Sequence, residues 1–182
     1  MNLWLRLLWL MLFRQRQRVG LLETTTVRLR VWLTDLDLYR HVNNGRYLTL
    51  ADIGRRDWFL RNGTMQRAAR HGALPVMGDA IAKFRRELRL FQSFDIHSRL
   101  LGWDRRWIFL EHRFVRGGRV VGVVGIRALF KGRGGTLDPG ELIGELGELG
   151  GIAASPALPE WLLHWNRANE ALSAALRAEE AG

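Results

Sequence analysis

Apolar and polar positions alternate strictly from residue 27 to residue 33. Val27, Leu29, Val31 and Leu33 fall on one side; Arg28, Arg30 and Trp32 fall on the other. A period of two predicts a half-buried strand. The period then changes. Tyr47, Leu50, Ala51, Gly54 and Trp58 recur at spacings of three and four, which is one stripe of an α-helix. Asn43 or Asn44 is placed to cap its start, and Asn62-Gly63 to stop it. Gly54 costs helix propensity, so its expected use is to let the helix lie close against a sheet.

Beyond a polar connection, four extended segments follow. AIAKFRRELRL places Phe84, Arg86, Leu88 and Leu90 on one face, and FDIHSRLLGW does the same with Phe94, Ile96, Ser98 and Leu100. RWIFLEHRFV ends at Gly117-Gly118, a hairpin signal. RVVGVVGIRALF is apolar on both faces and suits a central strand. Short connections predict antiparallel neighbours. The expected fold class is α+β: an antiparallel sheet of about five strands wrapped around one long central helix, plus a C-terminal helix after Pro156 and Pro159. The chain divides into an apolar and basic segment 1–18, a single domain 19–135, and a glycine-rich connection with the terminal helix, 136–182.

The first segment, MNLWLRLLWLMLFRQRQR, is an apolar run broken once by Arg6. Its seven unbroken apolar residues, Leu7 to Phe13, are far fewer than the roughly 20 a spanning helix needs. It lacks a leading charge and a small-residue cleavage site, so a signal peptide fits poorly. Trp4, Leu7, Leu8 and Met11 share a helical face beside Arg14, Arg16 and Arg18, the pattern of an interfacial helix on acidic lipid. Docking on the protein's own surface or on a second subunit, or a true start at Met11, are competing readings. The expected location is cytoplasmic, peripheral to the membrane wherever residues 1–18 bind lipid.

Charge and composition narrow the function. The chain has no cysteine, which removes disulfides, thiolate metal sites and a cysteine nucleophile. Its net charge is +10, nearly all from arginine, since Lys83 and Lys131 are the only lysines. An anionic partner fits this charge as well as a codon bias does. The arginines are spread out and no nucleic-acid-binding signature is visible, so no nucleic-acid partner is expected. The four serines include no G-x-S-x-G elbow, and no phosphate loop is present. The five histidines show no ligand spacing, so neither a metal site nor a resident cofactor is expected.

What remains is DLDLYRHVNNGRYL, residues 35–48. It delivers Asp35, Asp37 and His41 to a helix N-terminus, where unpaired backbone N–H groups and a partial positive charge stabilise anions. A carboxylate beside such donors can attack a carbonyl or deprotonate a water, with Gly45 N–H free to polarise the carbonyl oxygen. This is acyl transfer to water. The same residues also suit a plain loop and helix cap.

The stretch resembles the signature of hotdog-fold thioesterases of the 4-hydroxybenzoyl-CoA thioesterase type: D-x-D, then G-H-V-N-N, an aromatic, and an acid five residues on. Asp35, Asp37, His41, Val42, Asn43, Asn44, Tyr47 and Asp52 stand in register. LLGWDRRWIFLEHRF and HWNRANEA are similar to the branch called thioesterase superfamily member six. The resemblance implies a hotdog fold and an acyl-CoA thioesterase. It implies Asp37 as base or nucleophile, the Gly45 N–H as carbonyl donor, and Asn43 and Asn44 as shapers of the turn. Tyr47 then lines the pocket, and Asp52 is a reserve acid; His41 is expected to touch substrate. The implied partner is an acyl-CoA or acyl carrier protein thioester, with coenzyme A present only as part of the substrate. The family also implies a homodimer or tetramer with sites at subunit interfaces. Arg85, Arg86 and Arg133 are candidates for the coenzyme A anion. The usual glycine before His41 is replaced by Arg40. A non-catalytic acyl-CoA or acyl-carrier binding protein at the membrane surface is the alternative.

Overall fold

The computed structural model describes residues 5–8, 17–147 and 154–182. Six strands form one antiparallel sheet: β1 (Thr25–Arg30), β2 (Leu74–Phe84), β3 (Ser93–Trp103), β4 (Ile108–Arg116), β5 (Arg119–Gly132) and the short β6 (Gly135–Leu137). The main order is β1-β3-β4-β5-β2, with β6 added to the far end of β5. The hairpins β3–β4 and β4–β5 follow the expected neighbour rule. β2 does not pair with β3; it crosses to the opposite edge and pairs with β5.

The central helix α1 (Asn44–Arg61) lies in the curl of this sheet. Its predicted stripe is the buried one: Tyr47, Leu50, Ala51, Gly54 and Trp58 all face the core. The Asn43 side chain caps its start and Gly63, at φ 82°, ends it. A Cβ added at Gly54 would stand 2.4 Å from Ser98 Oγ and 2.9 Å from Ile96 Cγ2, so the helix does sit on the sheet as closely as expected. Beneath Gly54, buried His112 shares a 2.8 Å hydrogen bond with Ser98 Oγ. Burial and the nearby Arg55 charge push the His112 imidazole down to about 3.

Two segments depart from their patterns. Alternation over residues 80–90 predicts a strand there, but β2 spans Leu74–Phe84 and turns away after Phe84. Arg85 and Arg86 N–H both bond Val121 O, which breaks the ladder, and Leu88 is buried from a loop. β1 likewise ends before Leu33, because the Asp35 carboxylate accepts the Trp32 N–H and winds residues 33–35 into a 3₁₀ turn. A short helix α2 (Thr64–Arg70) was not predicted.

The outer face of the sheet is covered from the C-terminal side. After α3 (Pro139–Gly147), the 22-residue helix α4 (Glu160–Ala181) lies across it. Leu162 joins Leu101, Trp107 and Phe109 in a second apolar cluster. Arg127, buried on this outer face, binds Asp79 from β2, and Asn166 and Glu170 from α4, while its guanidinium stacks over Trp107 at 4.2 Å.

The expected lipid-facing stripe of the N-terminal segment is only partly described; Trp4, Met11, Arg14 and Arg16 lie outside the described residues. Residues 5–8 form a helical turn that packs on the domain, with Leu7 in the core and Leu5 and Leu8 exposed. Among the described residues, no helix is long and apolar enough to cross a membrane.

Candidate active site

Residues 36–42 form a miniature hairpin whose ends are bridged Leu36 to Val42. Asp37 O accepts from Arg40 N–H and His41 O accepts from Asp37 N–H, so Leu38, Tyr39 and Arg40 form a three-residue loop. Such a loop is a tight turn followed by one residue in the left-handed region, where glycine is preferred. Arg40 occupies that place at φ 65°. Its side chain is exposed and forms no ion pair with a described residue. The glycine usual in the motif therefore has a backbone reason, and here an arginine carries the strain instead.

The loop holds Asp37 by its own backbone. Asp37 Oδ1 accepts the Tyr39 N–H at 2.9 Å, and Oδ2 lies 3.3 Å from His41 Nδ1. Tyr39 stacks on His41, with ring centroids 5.9 Å apart. Asp37 is thus an oriented, half-buried carboxylate paired to an imidazole.

Asp35 plays a different part. It is fully buried and acts as a hub: it receives Arg6 from the N-terminal turn, Arg46 from the first turn of α1, and the Trp32 N–H. Its carbonyl accepts the Asn43 N–H at 2.9 Å. Asp35 therefore ties the end of β1, the 36–42 loop, the start of α1 and the N-terminal segment together. Arg6 and Arg46 were not among the sequence candidates. The one signal for Arg6 was its solitary charge inside an apolar run.

At the start of α1, Gly45 N–H is already bonded to Asn43 Oδ1 at 2.8 Å. Asn44 N–H bonds no described residue. Asn44 lines a pocket of about 260 Å³ together with His41, Val42, Tyr47, Phe84, Arg85, Arg86 and Glu87. Five predicted residues, His41, Asn44, Tyr47, Arg85 and Arg86, thus share one pocket. Tyr47 is its buried floor, and burial raises the Tyr47 phenol to about 12. Asp37 borders a neighbouring cleft of about 720 Å³, lined also by Leu33, Leu36, Tyr39, Arg40 and Arg89; Glu87 lines both spaces.

Asp52 and Arg133 are elsewhere. Asp52 lies two turns along α1, about 12 Å from Asn44. It is ion-paired to Arg55 in a separate cleft with Leu7 and Phe59. Arg133 follows β5 at the end remote from Gly122, the residue paired with Phe84.

Comparison with known proteins fits this geometry. Residues 31–166 match the family model described as the thioesterase-like superfamily. The chain belongs to this superfamily. Within it, the chain is 35% identical over 147 residues to Protein THEM6 of Xenopus laevis, covering 80% of this chain and 68% of that protein. Among solved structures, the YbaW probable thioesterase from Escherichia coli superposes with a TM-score of 0.61 at 26% identity, covering 68% of this chain and 93% of that one. A 4-hydroxybenzoyl CoA thioesterase mutant complexed with 4-hydroxybenzoyl CoA gives 0.58 at 18% identity, covering 68% and 97%, which is a likeness of fold. The thioesterase-like superfamily accounts for the sheet curled around α1.

Proposed function

We propose that the protein hydrolyses acyl-CoA thioesters. The observation that carries this is the Asn44 N–H at the positive end of α1, which bonds no described residue and stands beside a pocket lined by His41, whose partner Asp37 borders the adjoining cleft. A thioester carbonyl seated there directs its oxygen at Asn44 N–H, which stabilises the oxyanion as the carbon is attacked. Asp37 attacks the carbonyl or takes a proton from water, and His41 beside it is placed to share that proton. Where Asp37 attacks, the C–S bond breaks to an Asp37–acyl anhydride that water then hydrolyses, regenerating the carboxylate. Where Asp37 deprotonates water, hydroxide adds and the C–S bond breaks directly. By either route the proton from water ends on the thiolate. The donor assigned is Asn44 rather than Gly45, whose N–H serves the cap.

The exposed cations Lys83, Arg85, Arg86, Arg116 and Arg119 have no ion-pair partner among the described residues. Arg116 pairs with Arg119 at the β4–β5 turn, close to the end of β2 where Phe84 meets Gly122. They suit the phosphates of coenzyme A. The apolar side chains exposed on edge strand β2, including Leu74, Met77 and Ile81, suit pairing with a second copy.

The test is thiol release from acyl-CoA. Asp37→Asn should lower kcat at least about a hundredfold, the low end for one acid–base group. The far-ultraviolet circular dichroism should remain unchanged. Full activity in that variant refutes the reading.

A further inference from the structure

The three most exposed large apolar side chains among the described residues share one rim of the molecule. Leu38 and Tyr39, in the three-residue loop, are 98% and 82% exposed, and Leu33, in the turn after β1, is 69% exposed. Trp32 and Phe91 join them, both exposed, with their rings edge-on at 6.1 Å. Leu33 and Tyr39 line the cleft of about 720 Å³ beside Asp37, so the rim surrounds its mouth. A contiguous exposed apolar patch edged by polar groups marks an interaction surface.

Phe91 is held in this rim by its backbone. At φ 61° it lies in the left-handed region, where a bulky side chain is rare. Its N–H donates to Val31 O, its C=O accepts from Arg30 Nε, and the Arg30 guanidinium lies over its ring at 5.2 Å. The strained backbone presents an aromatic ring to solvent instead of packing it in the core.

The charge of the rim is positive. Glu87 is paired to Arg89 and Asp37 to His41, and Asp95 stands opposite Arg28 in the β1–β3 ladder. Arg30 and Arg40 are left over: both are exposed, and neither has an acidic partner among the described residues. The helical turn 5–8 is tied to the same end of β1 by Arg6, which donates to Arg30 O and to Asp35, and its Leu5 and Leu8 are exposed.

We propose that this rim, residues 32–40 with Arg30 and Phe91, docks on the acidic surface of a lipid bilayer. Tryptophan and tyrosine favour the headgroup boundary, where an apolar ring and a polar tip are both satisfied. Arginines beside them meet lipid phosphates and carboxylates. The rim is convex, with Leu38 and Tyr39 on a protruding loop. A bilayer yields around such a loop, whereas a folded partner needs a matching groove. A second copy fits the opposite edge of the sheet better: β2 carries exposed apolar side chains there, and β1 lies at the far end of the main strand order. The docking stands independently of the thioesterase reading.

The chain has no cysteine, so Leu38→Cys in the full-length protein accepts a single environment-sensitive dye. Vesicles of phosphatidylcholine with about 30% phosphatidylserine should brighten that dye and shift it to the blue. Phosphatidylcholine alone should not, and the same dye on Ala178→Cys, at the exposed end of α4, should not respond. In vesicle co-sedimentation, Leu38→Asp should weaken binding at least about tenfold, the worth of burying one leucine. Arg40→Gln should weaken it about fivefold, the worth of one cation at an acidic surface. No binding to acidic vesicles, or equal binding to both compositions, overturns the proposal. So does binding with the residue 38 dye unchanged and Leu38→Asp within about twofold of wild type, which would assign the contact to the N-terminal segment alone. A dye at residue 38 that responds to rising protein concentration without vesicles overturns it in favour of a second copy.

Discussion

Replacing Arg40 with glycine should stabilise this protein. Arg40 sits at φ 65°, in the left-handed region, as the third residue of the loop that carries Asp37. Holding a residue with a Cβ there costs about 1–2 kcal/mol. Glycine removes that cost but adds freedom to the unfolded chain worth about 0.4–1 kcal/mol. The difference is a net gain of about 0.5–1 kcal/mol, or about 2 °C in Tm for a chain of this size. The Arg40 side chain offsets little of this, being exposed and without an ion-pair partner among the described residues. The assay is urea and thermal denaturation of Arg40→Gly beside Arg40→Ala. The alanine variant loses the side chain but keeps the Cβ, so it should stay within about 0.5 kcal/mol of wild type. Destabilisation by glycine, or identical behaviour of the two variants, refutes the assignment of strain to this position.

Other outcomes follow from the packing. Gly54→Ala should destabilise by about 1–3 kcal/mol in denaturant melts despite its better helix propensity, since the new Cβ meets Ser98 Oγ and Ile96 with no flexible neighbour to yield. His112 has a folded-state value near 3, below its unfolded value of about 6.5, so the unfolded chain binds the extra proton. Its contribution is complete above pH 6.5 and is lost as pH falls toward 3, by at most about 1.4 kcal/mol per pH unit, and His112→Gln should flatten that slope in pH-dependent melts. Arg127→Met should loosen α4 by breaking its links to Asn166 and Glu170, seen as faster hydrogen exchange in residues 160–170 with slow exchange retained in β3 and β4.

The parts of the fold legible in the sequence are those whose pattern comes from one dominant surface. The α1 stripe and the alternation of Phe94, Ile96, Ser98 and Leu100 both face a single core, and both are buried as the pattern requires. β2 was misplaced because it is an edge strand. Leu74, Val76 and Met77 are exposed, and its side chains sort by neighbours rather than by burial. The crossing of β2 to β5 is a long-range pairing that no local period encodes. In the candidate site, residue types pointed to the loop at the helix start, but not to which backbone N–H is available. That depends on where Asn43 points its side chain, and it points at Gly45. The hub at Asp35 was hidden for a similar reason: Arg6 reaches it across 29 residues of chain.

That hub bears on how this protein is handled at the bench. The apolar leader is a natural target for trimming before expression, with a new start near residue 19 just ahead of β1. Such a fragment retains every strand and α1, so it would pass inspection by topology alone. It would nevertheless leave the buried Asp35 carboxylate with Arg46 as its one cationic partner among the described residues and would remove Leu7 from the core. Losing one partner of a buried charge is among the costlier single changes, about 3–5 kcal/mol. The boundary that protects the Asp37 loop therefore lies upstream of Arg6, well outside the sheet.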